Sequence, residues 1–383
     1  MINHYASKKQ EISRFRESDI AIKLISLFIM KSILNSNYSI HFQEETYLHL
    51  NKFIASKQPS CIFILVDENT MDHCYPLLLP YIETVARIEI IEVESGEEHK
   101  NIATCSGVWS AMIELGCDRN SLLINLGGGV ITDLGGFIAS TIKRGISFIH
   151  IPTTVLGMVD AAIGGKNGVD IGQLKNQIGV VNPPEMTLID TNYLVSLEKK
   201  QWINGSIEMF KHGLIADREY WNEMIQTGDD YLSEKFTSLI YQSIVIKDHI
   251  VKSDPFEKGP RKSLNYGHTI GHAIESFCLS SKNHEPLLHG EAIAVGLFLE
   301  SYLSYVHTGL NKNDFDQIAS WYHQLGFQLE FTLTEIEEML ELMSHDKKNV
   351  NGEIRFVLLP SIGFFVTDQT VPVEDVIKSF SLL

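Results

Sequence analysis

The chain has 383 residues, 44% of them apolar and 21% charged, which is an ordinary globular balance and enough length for two cores. A formal charge of −17 speaks against a nucleic-acid surface or an anionic membrane as partner, so cations that bind an anionic ligand must be gathered locally. Cys61, Cys74, Cys105, Cys117 and Cys278 show no C-x-x-C spacing, which argues against a zinc knuckle or a disulfide framework and for buried thiols in a reducing cytoplasm.

Ile20 to Leu34 is apolar but interrupted by Lys23 and Lys31, and it falls short of the roughly 20 residues that span a bilayer. Its periodicity fits an amphipathic helix in an N-terminal extension over residues 1–36. Strand-like runs follow: CIFILVDEN from Cys61, ARIEIIEV from Ala86, SLLINL from Ser121 and SFIHIP from Ser147, with a helical pattern over Asn101 to Leu115. Such alternation is the mark of βαβ units around a parallel sheet. From about Trp202 helical patterns dominate, until Ile354 to Val366 reads as a hairpin. The expected fold is α/β, with a Rossmann-like nucleotide-binding domain over residues 1–200 and a mostly α-helical domain over 201–383. The site is expected in the cleft between them.

Gly127, Gly128 and Gly129 follow a buried strand and precede a helix. Residues without Cβ let the backbone approach a diphosphate, with helix-start N–H groups aimed at the charge. A tight strand-to-helix turn explains the same glycines equally well. Asp67 and Asn69 end an earlier strand, where ribose hydroxyls are read in such folds, and Glu97 and Lys100 end the next.

In PRKSLNYGHTIGHAIE, Asn265, His268 and His272 fall at i, i+3 and i+7, which on a helix is one face. Two imidazoles one turn apart can converge on a metal ion, although an HxxxH alone is more often helix surface or core packing. Glu208 and Lys211 share a second helical face, a spacing that by itself is more often a solvated ion pair, although a carboxylate is also the partner that two imidazoles need for a three-ligand site with an open position. His289 opens a further apolar helix. Asp160, Lys166, the Lys175-Asn176 pair, Lys247 and Asp346-Lys347-Lys348 are further polar candidates, each ordinarily a solvated side chain.

These motifs together resemble the 3-dehydroquinate synthases, a family within the sugar phosphate cyclases. The likeness rests on SGEEHK, GGGVITDLGGF, KRGISFIHIPTTVLGMVDAAIGGKNGV, LKNQIG, EMFKHG, RKSLNYGHTIGHAIE, LLHGEA and HDKK, in family order from about Asp67 to the final hairpin. The resemblance implies zinc (or cobalt) held by Glu208, His268 and His289, with His272 left for substrate or proton work. It implies NAD on the glycine loop, surrounded by Asp67, Asn69, Glu97, Lys100, Gly128, Gly129, Val130, Asp133, Thr153 and Thr154. The substrate implied is an anionic sugar acid phosphate, 3-deoxy-D-arabino-heptulosonate 7-phosphate, which is converted to 3-dehydroquinate and phosphate in the shikimate pathway of aromatic amino acid biosynthesis. Asp160, Lys166, Asn176, Lys211, Lys247, Glu257, Arg261, Asn265, His272 and one lysine of the Lys347-Lys348 pair, with Lys347 favoured, would surround it. Arg144 is placed at the phosphate of a neighbouring subunit in a homodimer. The chemistry implied is a transient oxidation, β-elimination of phosphate, re-reduction, ring opening and an intramolecular aldol closure, with NAD regenerated in each turnover.

Arg261, Asn265 and His272 keep the family identities, which favours the acid over a neutral sugar phosphate. Thr132 departs from the family glycine, Ile207 and Phe210 are bulkier than usual near the metal side, and Pro255 and Pro260 interrupt the run before Arg261. The rivals are a cyclase for a neutral sugar phosphate, a metal-dependent polyol dehydrogenase, and a non-catalytic NAD-binding descendant. Against the last, Lys211→Ala is expected to abolish turnover with the melting temperature nearly unchanged.

Overall fold

A computed structural model describes residues 30–172, 174–344 and 354–383. The N-terminal half contains strands β1 (Ile33–Leu34), β2 (Ser39–Phe42), β3 (Cys61–Asp67), β4 (Arg87–Val93), β5 (Leu122–Gly127), β6 (Ser147–Pro152), β7 (Lys166–Ile171), β8 (Leu174–Val181) and β9 (Met186–Ile189). Its longer helices are α1 (Glu45–Lys57), α2 (Ile102–Glu114) and α3 (Gly129–Thr141). Seven strands form one sheet in the order β1-β2-β9-β6-β5-β3-β4, parallel throughout except where β1 meets β2. Cys61 to Val66 and Leu122 to Gly127 are buried without alternation, because both faces of a parallel sheet are covered. The chain therefore leaves β3, β4, β5 and β6 at one carboxyl edge, where the glycine loop lies.

The expected strands from Cys61, Ala86, Ser121 and Ser147, and the helix after Asn101, all form within a few residues of their expected bounds. Five strands went unread: β1, β2 and β9 are two to four residues long, too short for a period, and the longer β7 and β8 lie in glycine- and lysine-rich stretches without a continuous apolar run. Part of the expected amphipathic helix is corrected. Ile33 and Leu34 are extended because they pair with Ile40 and Ser39, and residues 20–29 lie outside the described residues. The hairpin β7–β8 stands apart from the main sheet and is tied to it by a bridge between Asn101 and Asp170.

Two buried histidines give the sheet an acid-sensitive core. Burial pushes His150, beside Asn125, down to about 3. Burial and the stacked ring of His49, 3.6 Å away, push His41 down to about 4. Both folded-state values lie below the ordinary value of about 6.5, so the unfolded chain binds the proton first. Their stabilisation is complete above pH 6.5 or so and is lost as pH falls toward those lower values. The melting temperature should drop steadily from pH 6.5 to 4.5, and His150→Gln should flatten that slope; an unchanged slope would contradict this account.

The second half is built from α4 (Lys199–Ala216), α5 (Arg218–Thr227), α6 (Glu234–Ser253), α7 (His268–Ser280), α8 (His289–His307), α9 (Lys312–Gln324) and α10 (Leu333–Ser344). The hairpin β10 (Phe356–Ser361) and β11 (Phe364–Gln369) and helix α11 (Val373–Phe380) complete it. Helices α4 and α8 are buried on nearly every face; α8 is largely apolar, as expected of a central helix, whereas α4 also carries Asn204, Glu208, Lys211 and His212 into the interior. The bulk of Phe210 turns into this core, with ring centroids 5.5 Å from Trp221 and 4.9 Å from Trp321. Ile207 is likewise fully enclosed in it. The Thr132 hydroxyl donates to the Gly129 carbonyl at 3.0 Å, inside the first turn of α3. These departures are thus absorbed by packing.

Candidate active site

Helices α4 and α8 cross in near contact. A Cβ on Gly290 would lie 2.1 Å from the Asn204 carbonyl oxygen, and the Gly290 N–H donates to Asn204 Oδ1 at 2.6 Å. Glu208 is one turn beyond Asn204 and His289 directly precedes Gly290, so this one crossing sets the carboxylate beside the imidazole. Glu208 Oε1 is 3.8 Å from His289 Nε2 and 3.5 Å from His268 Nε2. Donor atoms of the three histidines 268, 272 and 289 all lie within 4.8 Å of one another.

The residues fit a divalent metal. Bonds of 2.0–2.1 Å in a tetrahedral site place ligand atoms about 3.4 Å apart, close to the two distances from Glu208. Glu208 is fully buried; its Oε2 is paired with Lys211, while Oε1, which faces the two imidazoles, accepts no hydrogen bond and is the atom a cation would satisfy. His268 Nδ1 donates to the Tyr266 carbonyl at 3.0 Å and His289 Nδ1 lies 3.2 Å from Glu275 Oε2, which leaves both Nε2 atoms toward Glu208. Burial opposes charge on His289, but Glu275 and Glu208 outweigh it and raise its pKa above the ordinary imidazole value.

The shared helical face of Asn265, His268 and His272 is corrected. Pro260–Asn265 is a 3₁₀ turn, the backbone breaks at Tyr266 (ψ 130°) and Gly267 (φ 78°), and α7 begins at His268. Asn265 instead donates to Glu257 Oε1 at 2.5 Å. The residue that does continue the helical face is Glu275, seven after His268. It went unread, although the same periodicity pointed to it.

Lys211 forms an ion pair with Glu208 and is itself only 1% exposed. Asp160, in a π-helical turn over Gly157–Ala161, accepts from Lys247 Nζ at 2.5 Å. Burial would raise this carboxyl, but Lys247 and Lys211 hold it well below the usual range. Burial lowers Lys247 and Lys166, the latter paired with Glu257. His212, unread in the sequence, sits against Asp160 and Glu208 with Nδ1 on Ser243 Oγ at 2.8 Å, and burial and Lys211 keep it neutral. Arg261 donates to the carbonyls of Pro255 at 2.7 Å and Gly164 at 3.1 Å, while Asp254 accepts from the N–H groups of Lys258, Gly259 and Arg261. The departures at Pro255 and Pro260 thus belong to the loop that presents Arg261.

At the carboxyl edge of the sheet, Gly128 caps α3 and Val130 and Asp133 lie on its first turns. Thr153 N donates to the Gly127 carbonyl at 3.0 Å, and Thr154 Oγ1 accepts from Gly157 N at 3.0 Å. Asp67 Oδ1 accepts from Thr70 N at 2.8 Å, capping the short helix on which exposed Asn69 stands. Lys100 is buried among Glu97 (2.8 Å), Asp133 (3.4 Å) and Asp170 (3.9 Å). Burial works against its charge, but these carboxylates prevail and keep it protonated. Burial raises Asp133 to about 7 despite Lys100.

Lys175 joins the two halves. Its Nζ donates to Glu275 Oε1 at 2.6 Å and lies 3.4 Å from Glu97, so a chain of charges runs from His289 through Glu275, Lys175 and Glu97 to Lys100. The sequence reading favoured its neighbour Asn176, whose N–H donates to Asp170 Oδ1 at 2.6 Å and whose φ is 51°. Lys175→Met should weaken cobalt binding by roughly 10- to 100-fold, the usual cost of an outer-shell partner. Cobalt titration followed by absorbance checks this, and wild-type affinity would refute it.

Two expected site residues are not among this cluster. Arg144 is exposed in a left-handed kink (φ 67°) before β6, at the edge of the sheet opposite the glycine loop. Lys347 and its neighbours lie outside the described residues.

Residues 90–204 match the family model described as "3-dehydroquinate synthase N-terminal" and residues 205–349 the one described as "3-dehydroquinate synthase C-terminal". A 3-dehydroquinate synthase of Parabacteroides distasonis is 40% identical over 86% of this chain and 93% of its own, and one of Clostridium botulinum is 35% identical over 90% and 95%. Among solved structures, 2-deoxy-scyllo-inosose synthase complexed with carbaglucose-6-phosphate, NAD+ and Co2+ has a TM-score of 0.79 at 24% identity, over 91% of this chain and 98% of that one. ValA, a 2-epi-5-epi-valiolone synthase from Streptomyces hygroscopicus with NAD+ and Zn2+ bound, gives 0.79 at 23% over 91% and 98%. A probable glycerol dehydrogenase from Sinorhizobium meliloti gives 0.60 at 13% over 92% and 97%. On both domain models and on relatives that align along most of their own length, the chain belongs to the 3-dehydroquinate synthase family.

Proposed function

We propose that this chain converts 3-deoxy-D-arabino-heptulosonate 7-phosphate to 3-dehydroquinate and phosphate, using NAD and zinc or cobalt. The observation that carries this reading is the convergence of Glu208, His268 and His289, with one carboxylate oxygen, Oε1, facing both imidazoles and accepting no hydrogen bond, beside a buried set of cations. A bound divalent metal would supply Lewis acidity at a substrate hydroxyl, and NAD a hydride acceptor on the glycine loop. Gly128, Gly129, Val130, Asp133, Thr153 and Thr154, with Asp67, Asn69, Glu97 and Lys100, are the residues we assign to NAD.

The protein's own groups do the rest. Lys166, Lys211, Lys247 and Arg261 concentrate positive charge for a substrate that carries a carboxylate and a phosphate, in a chain otherwise strongly acidic. Asn265, Glu257 and Asn176 orient its hydroxyls, and Asp160 holds Lys247 in place. His272, beside the ligand pair but not needed to complete it, is the base that takes and returns a hydroxyl proton. We assign Lys347 to the substrate as well, and Arg144, on the far edge of the sheet, to the phosphate of a second subunit in a homodimer. The division into an NAD-binding domain over residues 1–200 and a metal and substrate domain over 201–383 belongs to the same reading. Five buried, unpaired thiols support a cytoplasmic setting, and among the described residues no helix is long and apolar enough to cross a membrane.

Protein supplied with NAD and zinc should release phosphate from the seven-carbon acid with no net absorbance change at 340 nm. Turnover of sedoheptulose 7-phosphate instead would assign the site to a neutral-sugar cyclase, and accumulation of NADH to a polyol dehydrogenase.

A further inference from the structure

Helix α7, which carries His268 and His272, starts without a capping side chain of its own. Its N-cap is Gly267 at φ 78°, and a Cβ there would meet Leu297 Cδ2 at 2.6 Å and Leu297 N at 3.0 Å, so no larger residue can stand in that place. The first bond within the helix runs from Gly271 N to the Gly267 carbonyl at 3.1 Å, and the N–H groups before it need acceptors from elsewhere. One carboxylate supplies acceptors for three of them. Glu300, on α8 and fully buried, accepts from Gly267 N at 2.8 Å through Oε2, and from Thr269 N and Ile270 N at 3.1 Å each through Oε1. A carboxylate sunk this deep is tolerable because it meets three N–H donors at the positive end of a helix.

The bracket closes around His268, which lies between Gly267 and Thr269. The three bonds Glu300 makes to the start of α7 are all to backbone N–H groups. Glu300 also rides on the same helix as His289, about three turns further along, so a single rigid rod carries one ligand and the brace for the helix of another. Building on the metal-centre reading above, we infer that Glu300 is a positioning residue for that centre. By closing the start of α7 it sets the reach of His268 toward Glu208 and His289.

The test uses full-length protein stripped of metal and titrated with Co2+, with the d–d absorption, NAD affinity and melting temperature recorded on each sample. Gln at position 300 keeps the length but turns an amide NH2 toward N–H donors. Glu300→Gln should bind cobalt roughly 10- to 100-fold more weakly with an altered d–d band, and NAD as before. Ser304→Ala is the comparison: Ser304, one turn further from the site, accepts from Leu359 N at 2.9 Å and donates to the Glu300 carbonyl at 2.7 Å. Its loss should lower the melting temperature with the cobalt spectrum unchanged. If Glu300→Gln does not fold, Glu300→Asp, which keeps the charge but draws the carboxylate back, carries the same expectation. Wild-type cobalt affinity and spectrum in a folded Glu300 variant would overturn the inference, as would an equal loss in Ser304→Ala. A wild-type protein whose cobalt signal does not depend on Glu208, His268 and His289 would sink the metal-centre reading itself and the inference with it.

Discussion

Glu208→Gln should leave the protein unable to hold its metal and unable to release phosphate. Gln preserves the volume of a fully buried side chain in α4, so packing changes little, but an amide oxygen is a far weaker partner for a divalent cation. An outer-shell substitution already costs roughly 10- to 100-fold in metal affinity, and this ligand should cost more. The charge lost also leaves the Lys211 ammonium buried without its partner, worth about 3 kcal/mol or more in the metal-free protein. Metal content after dialysis, phosphate release and thermal unfolding each report one part of this. Retention of stoichiometric zinc by Glu208→Gln would remove the carboxylate from the site.

Lys211→Met should cost roughly 10²- to 10³-fold in turnover, the usual effect of deleting a preorganised cation or donor next to developing negative charge. Its effect on stability differs from what the sequence suggests. An i, i+3 Glu–Lys pair on a solvated helix could lose the lysine at almost no cost. Here both partners are enclosed, at 0% and 1% exposure, so removing the ammonium strands a carboxylate in the core. The metal-free variant should melt well below wild type, with a loss of about 3 kcal/mol. Added zinc should recover much of that loss, because the cation takes over the neutralisation of Glu208. An undiminished melting temperature in the presence of chelator would show that Glu208 is compensated by something else, and His212 against it would be the first place to look.

Lys211 illustrates a general division in this molecule. Where information is local, the sequence determined the outcome. Continuous apolar runs gave the buried strands from Cys61, Ser121 and Ser147, three glycines marked the turn into α3, and HxxxH placed two imidazoles on one helix, because periods of 2.0 and 3.6 residues are written in nearest neighbours. The family motifs extended that reading to ligands on separate helices. Only the tertiary structure decided what depends on how elements meet. The break at Gly267 moved Asn265 off the histidine face, since Leu297 of α8 leaves no room for a side chain there. Lys175 gained its partners from a hairpin folding onto α7, and Glu300 gained its donors from the start of a helix whose own first residues cannot cap it. Strands β1, β2 and β9 exist because neighbouring backbones accept and donate to them, a cause that leaves no periodic trace in two to four residues.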